Sequence, residues 1–293
     1  MASTRDIRRR IKSVKNTSQI TKAMQMVAAS KMRKAQQAAL AGRPYAQLMN
    51  KVLAEVTHHA GDFSHPLMEK REVRRKAVII VSSDKGLCGG LNSNLYREAM
   101  KVDSTNAVWI AAGRKGSQFV ARTKRKLAAE FTYKDTPQFT DARAISRFAV
   151  EMFTKGEVDQ VEVIFTNFIN TLSQKPEIRT FLPVGEITMV AADFHGEMSS
   201  AAVSKTEELE FLFEPTAERV FESLLPHYLN FQMYQYLVEA KASEHSARMV
   251  AMKNATDNAG QIIKALTLQY NKLRQSNITK ELLEISSAAM ALA

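Results

Sequence analysis

The sequence predicts an α/β protein: a long antiparallel two-helix coiled coil from the chain termini, with an inserted three-layer α/β domain of mostly parallel strands. Three observations predict this fold. Both ends of the 293-residue chain are almost free of helix breakers and carry apolar residues at helical spacing. Between them, short β-branched runs alternate with amphipathic stretches, as in βαβ units. We place the boundaries at 1–60 for the N-terminal helix, 70–205 for the Rossmann-like domain and 212–293 for the C-terminal helix.

The N-terminal segment is rich in Ala, Lys, Gln, Met and Arg, all good helix formers. Small residues near its middle would let a second helix approach closely. Gly42 and Pro44 indicate a bend. The predicted apolar stripe consists of Ile7, Ile11, Val14, Ile20, Met24, Val27, Met32, Ala35 and Ala39.

The net charge of +11 is concentrated in this helix. Residues 1–60 hold 12 Lys and Arg against two acidic residues, whereas the remaining chain holds 29 against 28. Such an element favours an acidic partner: nucleic acid, anionic lipid or an acidic protein surface. Its most basic run comprises Arg8, Arg9, Arg10 and Lys12.

The middle of the chain predicts strands and helices in alternation, which implies a mostly parallel sheet between two helical layers. Residues 185–214 predict one or two strands and a linker. The strands are predicted at 77–82, 107–112, 127–133, 160–166 and 178–184, and the helices at 91–102, 115–126 and 140–155.

The C-terminal segment predicts one very long helix that begins near Pro215, with a kink at Pro226. After Leu273 its apolar stripe shifts and resumes as Ile278, Leu282, Ile285 and Ala289. This helix is longer than its predicted partner, so one end projects alone or meets another partner. Its heptad seam comprises Met249, Met252, Thr256, Ala259, Ile263, Leu266, Tyr270 and Leu273.

The stretch VIIVSSDKGLCGGLNSNL joins a strand to a helix through a glycine-rich loop, the order in which many proteins bind phosphate. Neither G-x-x-x-x-G-K-[ST] nor G-x-G-x-x-G is present, because Leu91 and Asn92 follow the last glycine. A structural turn is therefore favoured over a nucleotide site. The six histidines are scattered, and none adjoins the lone Cys88. We predict no catalytic, cofactor or metal site, and a structural or coupling protein.

Targeting signals are weak. No apolar run reaches the length of a membrane span. The N-terminus lacks the apolar core of a secretory signal, although its arginine- and serine-rich composition is similar to that of an organelle transit peptide. One cysteine excludes an intrachain disulfide and suits a reducing compartment.

Three long segments together resemble the gamma subunit of F-type, proton-translocating ATP synthases of bacterial type. They are IRRRIKSVKNTSQITKAMQMVAASKMRKAQ, SSDKGLCGGLNSNL and SEHSARMVAMKNATDNAGQIIKALTLQYNKLRQSNITKELLEI. The resemblance implies a non-catalytic central rotor shaft that couples proton-driven rotation of a c-subunit ring to ATP synthesis or hydrolysis at the beta subunits. It implies as partners the alpha and beta subunits of a hexameric ring, the epsilon subunit and the c ring.

The resemblance also carries expectations about place and contacts. It begins near Arg5, so the basic start is expected to be mature protein, peripheral to the membrane on the cytoplasmic face of a bacterial plasma membrane. Arg8, Arg9, Arg10 and Lys12 would face acidic surfaces inside the ring. The residues implied to contact beta are Met24, Lys85, Cys88, Arg274, Gln275, Thr279 and Glu284.

Alternatives stay open from the residues alone. Met24 fits a seam methionine as well as a partner contact. A basic nucleic-acid-binding helix is a second function, although no aromatic residues interleave with its charges. An α/β nucleotide enzyme is a third.

Overall fold

The computed structural model describes residues 3–59, 65–103, 106–185, 214 and 216–292. They form two compact units, one made of residues 1–27 and 249–293 and the other of residues 28–248. Helix α1 (Thr4–His59) and helix α5 (Ala217–Leu292) each contribute to both units, and each runs on through an internal proline, Pro44 and Pro226 respectively. The predicted strands or linker at 185–214 fall almost wholly outside the described residues.

The larger unit holds a five-stranded sheet in the order β3-β2-β1-β4-β5. The pairs β3·β2, β2·β1 and β1·β4 are parallel, and only β4·β5 is antiparallel, which confirms the predicted class. The strands are β1 (Lys76–Val81), β2 (Ala107–Ala112), β3 (Lys126–Phe131), β4 (Gln160–Phe168) and β5 (Gln174–Leu182). Between them lie α2 (Leu91–Ala99), α3 (Arg114–Arg122) and α4 (Phe139–Thr154).

The sheet is covered on both faces, which gives the three predicted layers. On one face Val78, Ile80 and Trp109 pack with α2 and α3. On the other, Ile79 and Ile110 pack with α4 and with the parts of α1 and α5 that belong to this unit. Because both faces of β1 are buried, its sequence is continuously apolar rather than alternating.

In the smaller unit α1 and α5 pair antiparallel. The Thr21 and Thr256 hydroxyls lie 2.7 Å apart, and Arg8 contacts Tyr270 through a hydrogen bond and its ring face. Along α5 the seam follows the predicted positions: Met252 and Ala259 are buried and the others are half-buried.

The predicted stripe of α1 is wrong in its middle. Ile20 and Val27 are 60% and 54% exposed, whereas Thr21 is buried and Ser18 is half-buried. The heptad step continues from Val14 through Ser18 and Thr21, so the seam carries polar side chains there. Hydrophobicity selected the wrong neighbours because the Thr21 hydroxyl is satisfied inside the seam.

Candidate functional site

The glycine-rich loop lies at the point where the strand order reverses. β1 has β2 on one side and β4 on the other, and open α/β sheets bind ligands outside the carboxyl ends of the strands at such a position. Ser82 to Gly90 follow β1 directly. The groups that fill the crevice at the carboxyl end of β1 decide whether the loop could hold a phosphate.

The loop itself occupies the N-terminus of α3. The backbone N–H of Arg114 donates to Asp84 Oδ1 (3.1 Å) and that of Lys115 to the Ser83 carbonyl (3.0 Å). The Gly116 N–H donates to Ser82 Oγ (2.7 Å). A helix N-terminus binds phosphate through these first free N–H groups. Here all three already have acceptors from the same chain.

Two glycines make this close approach feasible. A Cβ on Gly113, whose φ is 108°, would lie 2.2 Å from the Ser82 carbonyl oxygen, and one on Gly116 would lie 2.8 Å from Ser82 Oγ. No side chain fits at either position unless Ser82, the residue that follows β1, is displaced. Gly113 and Gly116 therefore serve packing between the loop and α3.

A cluster of charged residues fills the crevice from the side of α5. Lys241 is only 1% exposed, and its Nζ lies 3.0 Å from Glu244 Oε2, 3.6 Å from Asp84 Oδ2 and 4.7 Å above the Tyr133 ring. Glu244 also accepts from Arg248 Nη2 at 2.8 Å. Two cations and two carboxylates thus balance one another, which the buried Lys241 and Glu244 require and which the partly exposed Asp84 and Arg248 complete.

Arg248 ties the loop to α5 through the backbone. Its Nη2 donates to the Lys85 carbonyl at 3.2 Å, and the Gly86 carbonyl accepts from Nη2 and Nε at 3.2 and 3.4 Å. One guanidinium therefore binds two successive loop carbonyls as well as Glu244, which its planar array of donors permits.

Burial shapes the protonation of this cluster. It lowers the pKa of His245 to about 4, so the ring is neutral at pH 7 and its Nδ1 accepts from Arg248 Nη1 at 3.3 Å. Burial also raises the pKa of the Tyr133 hydroxyl well above its ordinary value. A hydrogen bond from Lys31 lowers the pKa of Asp135. These groups keep fixed charges near neutral pH.

The end of α5 differs from the rest of the helix. After Leu273, every side chain that the structure describes is exposed, both at residues 274–288 and at Met290. They include large apolar residues, namely Ile278, Leu282, Leu283 and Ile285. Large exposed apolar side chains that follow one another along a helix are typical of a surface that meets a partner.

Comparison with known proteins gives the family. The family model described as ATP synthase matches residues 3–292. The chain is 50% identical to the ATP synthase gamma chain of Opitutus terrae and 45% identical to that of Methylacidiphilum infernorum, over the full length of both proteins in each case. The chain belongs to the ATP synthase gamma chain family. The resemblance carried by the three sequence segments is confirmed, and nothing among these relatives supports the nucleic-acid alternative.

Two chains of solved structures share the fold. The chain resembles one in the central stalk and c-ring structure of the Tetrahymena thermophila mitochondrial ATP synthase, with a TM-score of 0.59, 25% identity and coverage of 80% of this chain and 99% of that one. It also resembles one in the Euglena gracilis mitochondrial ATP synthase, with a TM-score of 0.67, 19% identity and coverage of 99% and 94%.

The two predicted loop residues, Lys85 and Cys88, differ in their exposure to solvent. Lys85 is exposed, as a partner contact requires, but Cys88 is only 2% exposed and lies 3.4 Å from Asn92 Nδ2. The Cys88 thiol therefore faces inwards in the chain alone, and its expected contact with beta stays a prediction. Sequence reasoning missed Leu87, which is 60% exposed with a φ of 66°. A single apolar residue in a loop belongs to no periodic pattern, so no feature of the sequence selected it.

The predicted helix residues are all accessible to some degree. Met24 is half-buried beside the exposed Ile20 and Val27. Arg274, Gln275, Thr279 and Glu284 are exposed, and the Thr279 hydroxyl donates to the Gln275 carbonyl at 3.0 Å. Arg9, Arg10 and Lys12 are exposed, whereas the exposed Arg8 is engaged by Tyr270. Their contacts with other subunits stay predictions.

Sequence reasoning also missed the charged cluster. Lys241, Glu244 and Arg248 follow one another at helical spacing, which is typical of a solvated salt-bridged face. Only the tertiary structure shows that Lys241 and Glu244 are buried and that Asp84, far away in the chain, lies beside Lys241. Within the described part of the chain, no group of three His, Cys, Asp or Glu could hold a metal ion, and no helix is long and apolar enough to cross a membrane.

Proposed function

We propose that the chain is the central rotor shaft of an F-type ATP synthase, and that it couples proton-driven rotation of the membrane ring to ATP synthesis or hydrolysis at the beta subunits. The chain itself carries no catalytic role in this proposal. Family membership supports it, as does the central stalk named for the Tetrahymena relative. The observation that carries it is the exposed end of α5, because its apolar side chains need a surrounding partner.

The architecture suits a rotating element. A two-helix seam from both chain ends resists bending better than one helix, and α5 alone spans about 110 Å at 1.5 Å per residue. The proposed partners are the alpha and beta subunits of a hexameric ring, the epsilon subunit and the c ring. The proposed location is peripheral, on the cytoplasmic face of a bacterial plasma membrane.

We assign the beta contacts to three places on the chain. Met24 marks the first, on α1. The exposed tip of the glycine loop marks the second, with Lys85, Leu87 and Cys88, of which Cys88 is buried in the chain alone. The third is the end of α5, with Arg274, Gln275, Thr279 and Glu284. Arg9, Arg10 and Lys12 would face acidic surfaces of the ring through many weak contacts, which a turning shaft can break and remake.

Co-expression with alpha and beta subunits tests the function. We expect a complex that hydrolyses ATP and, once joined to the membrane sector, pumps protons. In that complex Met24→Lys would place a cation against an acidic partner, so hydrolysis should persist while pumping falls. A chain that never associates with alpha and beta, or that binds duplex DNA with a steep salt dependence instead, contradicts the proposal.

A further inference from the structure

We propose that Lys241 and Arg248 are positioning residues that clamp the tip of the glycine loop, residues 85–87, onto α5. Neither touches a reacting group. The clamp fixes where the tip stands, so that a force applied there reaches α5 directly rather than through the sheet. The structural part of this inference concerns residues 28–248 alone, whereas its mechanical consequence rests on the proposed function.

The contacts form a continuous path from the loop to the helix. Arg248 binds the carbonyls of Lys85 and Gly86, and Glu244 binds Arg248 on one side and Lys241 on the other. Lys241 in turn approaches Asp84, whose other oxygen accepts from the N-terminus of α3. The loop is therefore held at residues 84, 85 and 86 by charged side chains of a single helix.

The burial of Lys241 indicates that the cluster fixes the position of the loop relative to α5. An apolar residue of similar length would fill the same space without the cost of removing an ammonium group from water, so a buried ion pair is poor as a source of stability. Its advantage is that it accepts only one arrangement of its partners. A lysine that is 1% exposed and shared by two carboxylates specifies where Asp84 stands relative to α5.

The loop needs such a constraint. Gly86, Gly89 and Gly90 give it a flexible backbone, and Leu87 sits at a positive φ, which few side chains adopt. Leu87 is also largely exposed, so the tip gains little from packing. Without the contacts from α5, the segment would sample several conformations, and a push on Leu87 would move the loop before it moved the helix.

The lone cysteine makes the clamp measurable. The Cys88 thiol is buried directly behind the tip, so a maleimide reacts with it only when the loop opens. The experiment compares the native-state labelling rate of the full chain with that of Lys241→Met and Arg248→Gln. Lys253→Met, which removes an exposed lysine from the same helix, is the matched control. Emission of the buried Trp109, the only tryptophan, reports whether the fold is intact.

We expect both clamp variants to label Cys88 about tenfold faster or more, since the loss of a charge-assisted hydrogen bond shifts an opening equilibrium by about that factor. Lys253→Met should label at the parental rate. Unchanged rates in folded clamp variants would overturn the proposal, as would an increase no larger than their loss of global stability. If Lys241→Met does not fold, Asp84→Asn decides, because its amide oxygen can still accept from Arg114 N–H while its charge is gone.

The mechanical consequence is tested separately in the assembled complex. There the clamp variants should keep ATP hydrolysis but pump fewer protons per ATP. Failure of the parental chain to assemble would contradict the proposed function and leave the labelling result standing. Parental coupling in clamp variants whose Cys88 labels rapidly would show that the clamp exists but does not carry the force.

Discussion

Two stretches of α5 reverse the usual relation between hydrophobicity and burial. Every side chain from residue 235 to residue 246 is buried, yet this stretch includes polar and charged residues. They are Gln235, Glu239, Lys241, Ser243, Glu244, His245 and Ser246. Beyond Leu273 every described side chain is exposed, although many are apolar. Burial along one helix thus depends on which partners lie around it, and composition alone does not predict it.

The difference has a physical origin. In the first stretch the polar groups find partners inside the chain: Lys241 and Arg248 with Glu244, and the Ser243 hydroxyl with the Thr166 carbonyl at 3.0 Å. These pairings offset much of the cost of removing the charged groups from water, whereas His245 Nε2 is buried without a hydrogen-bond partner among the described residues. In the second stretch the side chains meet water in the isolated chain. The two stretches should therefore respond to substitution in opposite ways.

The largest effect should come from Glu244→Ala. Removing this carboxylate leaves Lys241 buried with only the more distant Asp84, so the free energy of unfolding should fall by about 4 kcal/mol. Glu284→Ala on the exposed end of the same helix is the matched control and should change it by less than about 0.5 kcal/mol. Urea denaturation of the full chain measures both. Equal effects would remove the distinction between the two stretches.

The second largest effect should be a loss of unfolding free energy in acid, caused by His245 in the buried stretch. Burial lowers its pKa from 6.5 to about 4. Above pH 6.5 the ring is neutral in both states, and between pH 6.5 and about 4 only the unfolded chain gains the proton. Stability should therefore fall across that window as the pH decreases, by about 3 kcal/mol in total.

His245→Gln supplies the control for that pH dependence. The variant should lose the slope between pH 6.5 and 4 while keeping the steeper loss below it. That lower window belongs to carboxylates such as Asp135, whose pKa the hydrogen bond from Lys31 holds below 3.8. An identical slope in parent and variant would exclude His245 as its source.

A smaller effect should come from the seam. Thr21→Val and Thr256→Val should each cost about 1 kcal/mol of unfolding free energy, because each removes the hydrogen bond across the seam. The other hydroxyl is then left only the backbone carbonyl of its own helix, that of Ser18 or of Met252. The double variant should be close to the parent, since both partners are replaced by apolar groups of the same shape. Thermal denaturation of all four proteins completes the cycle, and strictly additive losses would argue against a coupled pair.

The exposed end should show the smallest change in stability and a clear change in function. Arg274→Ala and Gln275→Ala should leave the melting temperature of the isolated chain nearly unchanged, because neither side chain is buried. In the assembled complex they should lower ATP hydrolysis, and the double variant should be non-additive if both grip one partner loop. Early melting with normal turnover would make them structural residues.

The sequence predicted the elements well where one period dominates. The continuous apolar run of β1 and the heptad seam of α5 can both be recognised in the sequence, and their predicted positions agree with the structure. The start of β5 was missed, because Gln174, Lys175 and Glu177 are polar, Pro176 disfavours a strand, and the segment becomes strand only by pairing with β4. In α1, Ile20 was chosen over Thr21 because a hydrogen bond across the seam has no signature in one helix.

The candidate site was less predictable for a related reason. Absence of the phosphate-loop motifs was readable from the order of residues after Gly86. The acceptors that occupy the N-terminus of α3 come from residues some thirty positions earlier, about as far as a βαβ unit returns. Lys241 and Asp84 are separated by about half of the chain, and their contact follows from tertiary packing alone.

The antiparallel pairing of the chain ends has a consequence for biosynthesis. Thr21 meets Thr256 across 235 residues of sequence. At a synthesis rate of roughly 5–20 residues per second, the nascent α1 waits about 10–50 s for the partner that covers its seam. During that interval its half-apolar, strongly basic surface is open to other molecules. The seam of α1 is therefore covered only after α5 has been synthesised. Truncation near the C-terminus should leave part of that seam uncovered, at the N-terminal end of the chain.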